Sequence, residues 1–320
     1  MVENVDKKSF KATHTPVLLA EVIQFLSCGD QKCLLVDARL GEGGHAEAML
    51  SLFPCMMVLG VEVDGDILKV AGERLKCFGK RIQTFHSWSL EFFKGYGERS
   101  LEFPDRIFID LGISMFHYRQ SGRGFSFRED EPLDMRIDVE QPLTAGIIVN
   151  EYSREELEKM ILEYGEERFA RRISRSIIRE RSKAPIRSAK VLGEIIKRSV
   201  PASRRYGRIH PATRTFQALR IVVNNELQRL REELEYSFQV LKNGGKMGII
   251  SFHSLEDRIV KHFFKEKNKS CTCPAEWPIC QCGGRRELKI LTGKAIFAKA
   301  AEQETNPASR SARLRVVEKL

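Results

Sequence analysis

From Val36 to His45 the chain reads Val-Asp-Ala-Arg-Leu-Gly-Glu-Gly-Gly-His, a carboxylate ending an apolar run and then a glycine-rich turn. Bare backbone N–H groups in such a turn can approach a ligand where no Cβ would be tolerated. The run Cys33–Val36 reads as a strand and Ala46–Phe53 as the start of a helix. A second apolar run, Met56–Val63, then delivers Glu62, 21 residues beyond Gly41. An acid at the tip of the second strand of such a unit accepts hydrogen bonds from ribose hydroxyls. The chemistry implied is the binding of a nucleoside-bearing cofactor.

The spacing leaves two cofactor classes open. Ala46 stands three positions beyond Gly43, where the dinucleotide fingerprint needs a third glycine or another small residue, so a nicotinamide enzyme is not excluded. Asp37, four residues ahead of Gly41, discriminates better. It resembles the first motif of S-adenosylmethionine-dependent methyltransferases, whose ligand has no phosphate and needs acceptors for its amine and ribose.

These residues must be positioned by a sheet. A helix-like stretch, Asp66–Cys77, leads to a strand at Arg81–Phe85, and Arg106–Leu111 ends in Asp110-Leu-Gly. Strands alternating with helices imply parallel βαβ units with ligands at their carboxyl ends. The pattern then turns helical. Ser153-Arg-Glu-Glu156 is a capping box with Gly165 as a stop, and Phe169, Ile173 and Ile177 form an apolar stripe over Glu166–Arg181. A further helix is expected at Ala189–Ser199. A long amphipathic helix, Thr215–Leu241, and a buried strand, Lys246–Phe252, restore the sheet pattern. The expected division is an α/β domain over residues 1–118 and 213–320, interrupted by a helical insert over 119–212.

Composition narrows the partner. At 320 residues, 42% apolar and 30% charged, the chain has the make-up of a soluble globular protein. The polar Met1–Thr13 stretch suggests no signal peptide, and Val17–Leu26 is broken by Glu21 and Gln24, so no membrane association is expected. Eight cysteines argue for a reducing, cytoplasmic setting. Arg168–Arg220 carries sixteen Lys/Arg against two acids, a balance of +14 that leaves the remainder of this +10 chain at −4. Such a block suggests a polyanionic partner, nucleic acid above all.

Five further strings complete the picture: Asp110-Leu-Gly-Ile-Ser114; Arg123-Gly-Phe-Ser-Phe127 with Pro132-Leu-Asp-Met-Arg136; Gly165-Glu-Glu-Arg168; His210-Pro-Ala-Thr-Arg-Thr-Phe-Gln-Ala-Leu-Arg220; and Ser251-Phe-His-Ser-Leu-Glu-Asp-Arg258. In this order, from His14 to Arg315, they resemble the ribosomal RNA small-subunit methyltransferase H family, also called MraW. The resemblance implies a Rossmann-like S-adenosylmethionine-dependent methyltransferase domain with an inserted all-helical substrate-binding domain. It implies N4-methylation of a cytidine in the decoding centre of 16S rRNA, with the small ribosomal subunit as partner. It places the cofactor on Gly43, Gly44, His45 and Glu62, near Trp88 and Ser89, on Asp110 and at His117. Departures stand at Arg39, where Thr is usual, at Glu62, where Asp is usual, and at Met115-Phe116-His117.

Methylation of N4 requires an acceptor on its N–H to concentrate electron density on nitrogen. Asp110 occupies a strand tip suited to that role, with Ser251 and His253 on the same sheet edge; Asp110 could equally serve the cofactor alone, and His253 more readily orients its motif. A base splayed from RNA asks for aromatic faces and cations. Phe125 and Phe127 with Arg123 and Arg136 have that composition, although two Phe at this spacing also fit a half-buried strand. Arg171, Arg172, Arg175 and Arg214 supply the basic face. Cys271, Cys273, Cys280 and Cys282 could close a zinc site, but their C-x-C spacing is tight and no metal is assigned. Two other classes stay open: a methyltransferase-fold ribosome assembly factor with impaired catalysis, and a nicotinamide-dependent oxidoreductase.

Overall fold

The computed structural model describes residues 15–207, 209–271, 273 and 284–320. These form two compact units, one running to Ile113 and resuming over Leu230–Leu320, the other Ser114–Arg229. Cys280 and Cys282 lie outside the described residues, and with them the four-thiolate cluster.

The first unit is built on an eight-stranded sheet. Its strands are β1 (Cys33–Asp37), β2 (Met56–Glu62), β3 (Ile82–His86), β4 (Arg106–Asp110), β5 (Lys246–Ser251), β6 (Leu288–Ile290), β7 (Ile296–Phe297) and β8 (Arg313–Lys319). The order is β3-β2-β1-β4-β5-β8-β6, with β7 also paired to β8. The first five are parallel, and β8 runs antiparallel to β5, β6 and β7. Side chains alternate between two apolar layers. Val36, Val61, Ile109 and Ile249 pack on Phe92, Leu234 and Phe263 on one face. Leu35, Val58, Phe108 and Ile250 pack on Val22, Met49 and Leu75 on the other. Burial on both faces is why these strands read as continuous apolar runs. The strand order reverses between β1 and β4, which opens a crevice at their carboxyl ends.

The second unit is mostly helical: Met115–Arg119, Ala145–Glu151, Arg154–Gly165, Ala170–Arg181, Ala189–Ser199 and Ala212–Val223. It is wider than the expected 119–212 insert. Gly165 lets the helix it ends close on Ala212–Val223, since a Cβ there would stand 2.8 Å from the Arg214 carbonyl oxygen. The expected long helix Thr215–Leu241 is in fact two, Ala212–Val223 and Glu226–Val240, broken where Asn225 turns left-handed at φ 50°. Asn224 is buried there, donating to the Met135 and Arg220 carbonyls and accepting from Ile137 N–H. The helix expected from Glu166 starts at Ala170, because Glu166 is itself left-handed at φ 47° and the Glu167 carboxylate accepts from Phe169 N–H. Among the described residues, no helix is long and apolar enough to cross a membrane.

Candidate active site

The turn after β1 is shaped by backbone bonds and by Glu62. Gly43 N–H donates to the Leu40 carbonyl at 2.9 Å, and Leu40 N–H to Val61 O at 2.9 Å. The buried Glu62 carboxylate accepts from Gly41 N–H at 3.0 Å and from Val63 and Asp64 N–H at 2.9 Å each. Its first duty is therefore to fasten the glycine turn to the tip of β2. The three glycines differ in what surrounds them. A Cβ on Gly44 would press to 2.6 Å on Pro16, and one on Gly43 to 3.0 Å on Leu75; Gly43 is also left-handed at φ 80°. Gly41, left-handed at φ 54°, faces open space. Gly41 thus leaves room for a ligand on the side where a Cβ would stand, and its place in the turn four residues after the end of β1 was the available signal. Gly43→Val is expected to abolish cofactor binding in calorimetry, because the left-handed backbone alone costs about 1–2 kcal/mol before Leu75 is displaced. Near-normal affinity would place the cofactor elsewhere.

Two candidates of the first unit, His45 and Asp110, are brought together at the carboxyl end of the sheet. His45 starts the helix Gly44–Leu52 and packs its ring 4.7 Å from that of Phe108. Its Nε2 donates to the Val17 carbonyl at 3.0 Å, and its Nδ1 lies 4.0 Å from Asp110 Oδ2. Asp110 Oδ1 accepts from Gly112 N–H at 3.0 Å. Gly112 is needed at that turn, since a Cβ there would meet Phe252 at 2.7 Å and Asp110 Oδ1 at 3.1 Å. Burial drives the Asp110 carboxyl up to about 7, against the lowering effects of Gly112 N–H and Arg39, with Glu256 raising it further. Asp37, 1% exposed, is driven up to about 8 by burial, then by the charges of Asp110 and Glu62, with only the Arg39 backbone opposing. Its Oδ1 finds no hydrogen-bond partner among the described residues.

This donor and acceptor set fits S-adenosylmethionine. An orphaned buried carboxylate oxygen, a second carboxylate beside it and an open glycine turn suit a cationic, amine- and ribose-bearing ligand better than a pyrophosphate. Trp88 and Ser89 follow β3, where Trp88 precedes the helix Ser89–Lys94 and Ser89 is buried.

Ser251 and His253 have structural engagements. Ser251 is buried and its hydroxyl lies 3.5 Å from the Arg313 carbonyl. His253 caps the helix Ser254–Lys267: Nδ1 accepts from Glu256 N–H, while Glu256 Oε2 accepts from Phe252 and His253 N–H. Its Nε2 is 3.0 Å from Glu256 Oε1. An acid three residues beyond the cap position was the readable sign of this box.

The remaining candidates belong to the second unit. His117 is buried, its ring centroid 5.0 Å from that of Phe125, itself 5% exposed. Phe127 stacks on His210 at 4.4 Å and meets Phe216 edge-on at 5.2 Å. The segment holding both Phe is irregular, not the strand their spacing also allowed. Arg123 donates to the Arg136 and Ile137 carbonyls. Arg136 forks onto Asp134 and donates to the Val139 and Gln141 carbonyls. Both arginines therefore hold the loop together. Arg214 is half-exposed and donates to the Glu166 carbonyl. Arg171, Arg172 and Arg175 are exposed opposite buried Ile173 and Ile177, with no side-chain hydrogen bond or ion pair among the described residues.

The model of the MraW methylase family matches residues 11–320. A Treponema denticola protein named "Ribosomal RNA small subunit methyltransferase H" is 53% identical over 307 residues, covering 96% of this chain and 97% of its own. Proteins of the same name from Pelobacter propionicus and Treponema pallidum are 43% and 40% identical, each covering 96% of this chain and 98% and 92% of their own.

Proposed function

This chain belongs to the MraW methylase family, and from that premise we propose that it methylates the exocyclic N4 of a cytidine in the decoding centre of 16S rRNA. It uses S-adenosylmethionine and acts on the small ribosomal subunit in the cytoplasm. The cofactor supplies an electrophilic methyl group, so the protein must align the nucleophile and take up a proton, with no metal needed. Asp110 is the observation that carries this reading. Its carboxylate stands at the tip of β4, fixed by Gly112 N–H and set beside His45, and its proton affinity is raised to about 7. A base poised near the working pH is the efficient acceptor for the proton that leaves N4. Asp37 and the open turn at Gly41 serve the cofactor, with Glu62 holding that turn.

In the second unit, Arg171, Arg172 and Arg175 form the RNA-facing cations. Replacing all three with Gln is expected to weaken RNA binding and reduce the slope of log affinity on log salt by up to about 0.7–0.9 per lost phosphate contact. Cofactor affinity should stay constant. An unchanged slope would leave those arginines a solvated face only.

The decisive experiment is transfer of labelled methyl from S-adenosylmethionine to small subunits, with the modified nucleoside identified by mass spectrometry. N4-methylcytidine confirms the reading. Tight binding of cofactor and RNA without transfer would instead support the impaired assembly factor, and failure to bind S-adenosylmethionine would overturn the assignment.

A further inference from the structure

Tyr206 is 83% exposed, more than any other large apolar side chain among the described residues. A single exposed apolar residue is ordinary on a protein surface, but this one is held in place. The short turn Ala202–Arg204 closes through Arg204 N–H, which donates to the Pro201 carbonyl at 2.9 Å. Arg205 then reaches back to the end of the helix Ala189–Ser199. Its Nη2 donates to the Arg198 carbonyl at 3.1 Å and its Nε to the Val200 carbonyl at 3.2 Å. Tyr206 therefore stands beside that helix end, with Lys197 Nζ 5.4 Å from its ring centroid. The cation covers one face of the ring, and the other is open to solvent.

A second aromatic surface lies one turn earlier on the same helix. Gly193 makes room for Phe127, since a Cβ there would stand 2.9 Å from Phe127 Cβ. Phe127 in turn stacks on His210 with the ring planes 19° apart, and both residues are partly exposed. The exposed charges around these rings are mainly positive. Lys190, Arg198 and Arg204 are exposed, whereas Glu194 is the single acid between Ala189 and Tyr206 and lies 4.0 Å from Lys197 Nζ. Aromatic faces interleaved with cations make a surface for single-stranded nucleic acid, because every base has a face to stack and the cations follow the backbone. A duplex keeps its base faces stacked inside, so an open ring serves only an unpaired base.

Resting on the RNA-methylation reading above, we propose that Tyr206, backed by Lys197, is a stacking platform for an unpaired base of the substrate RNA, with Lys190, Arg198 and Arg204 holding the adjoining phosphates.

The test is binding of the whole chain to a short unstructured RNA oligonucleotide, and to the same strand annealed to its complement, followed by fluorescence anisotropy. Tyr206→Leu should weaken single-strand binding about 5–100-fold and leave duplex binding unchanged. Tyr206→Phe keeps the ring and should bind as wild type does. Neither variant loses a charge, so the slope of log affinity on log salt should stay at its wild-type value in both. Replacing Arg198 and Arg204 with Gln should lower that slope by up to about 0.7 per lost contact, with Tyr206 in place. Tyr206 touches little of its own fold, so its variants should melt as wild type does. An affinity untouched in Tyr206→Leu, or lost equally for single strand and duplex, would overturn the proposal. Equal losses in Tyr206→Leu and Tyr206→Phe would also overturn it, because the hydroxyl and not the ring face would then be the contact. A wild-type protein that binds neither RNA would defeat the functional reading itself, and this site with it.

Discussion

Asp110→Asn is expected to slow single-turnover methyl transfer by about 10²–10⁴-fold while keeping the fold and most cofactor binding. The amide oxygen can still accept from Gly112 N–H, so the Asp-Leu-Gly turn should survive. What disappears is the negative charge that stabilises developing positive charge on the target nitrogen and takes its proton. Because burial already disfavours that charge, its removal should not lower stability. The remaining rate should also lose its rise with pH near 7, since no carboxylate is left to ionise. Single-turnover kinetics at saturating cofactor and subunit keep binding effects out of the rate. Near-normal rates would reduce Asp110 to cofactor positioning. Ser251 and His253 are poor substitutes, one lying against the Arg313 carbonyl and the other capping a helix, so the acceptor would then be a backbone carbonyl.

How far the site could be read from the chain depended on how local its determinants are. The strand–turn–helix unit was legible because three signals fall within the short stretch Cys33–Gly43: an apolar run buried on both faces, an acid at its end and glycines that must turn left-handed. Asp110 and Gly112 were legible for the same reason. The loops of the second unit were not. Arg123 and Arg136 look like RNA-binding cations in sequence, yet carbonyls and Asp134 in the loop consume their donors; composition cannot tell a used donor from a free one. The break between Val223 and Glu226 was hidden because Leu219, Val223, Leu227 and Leu230 continue an apolar stripe across it. What ends the helix is Asn224, bonding to residues some 90 positions earlier. The ion pair of Arg39 with Glu233 joins residues 194 apart and has no sequence signal at all. The antiparallel strands β6 to β8 are short or lie near the end of the chain, and no alternation or turn motif announced them.

Asp37→Asn is expected to trade binding for stability. Asp37 is buried beside Asp110 and Glu62, and its carboxyl is driven from an ordinary value of 3.8 up to about 8. A folded-state acid with a raised value binds its proton more tightly than the unfolded chain does. Its contribution to stability therefore falls as pH rises from about 4 to about 8, and the penalty is then constant. The ligand-free protein should accordingly melt at lower temperature across that window, and Asp37→Asn should flatten this decline. At pH 8 each kcal/mol recovered should raise the melting temperature by roughly 2–4 °C. A bound cation reverses the balance, because the orphaned Asp37 oxygen then gains a partner. Losing that charge-assisted contact, worth about 1.5–3 kcal/mol, should weaken S-adenosylmethionine by about 10–100-fold. Wild-type affinity should itself strengthen as pH rises through 8, while the variant's should not. Thermal melts and calorimetry over pH 5 to 8.5 measure both arms. A variant no more stable at pH 8, yet binding as wild type does, would remove Asp37 from the site; a loss of stability with a loss of binding would make it a framework residue whose charge is tolerated. Only the opposed pair of outcomes fits a carboxylate kept at a cost in the empty protein for the cation it receives.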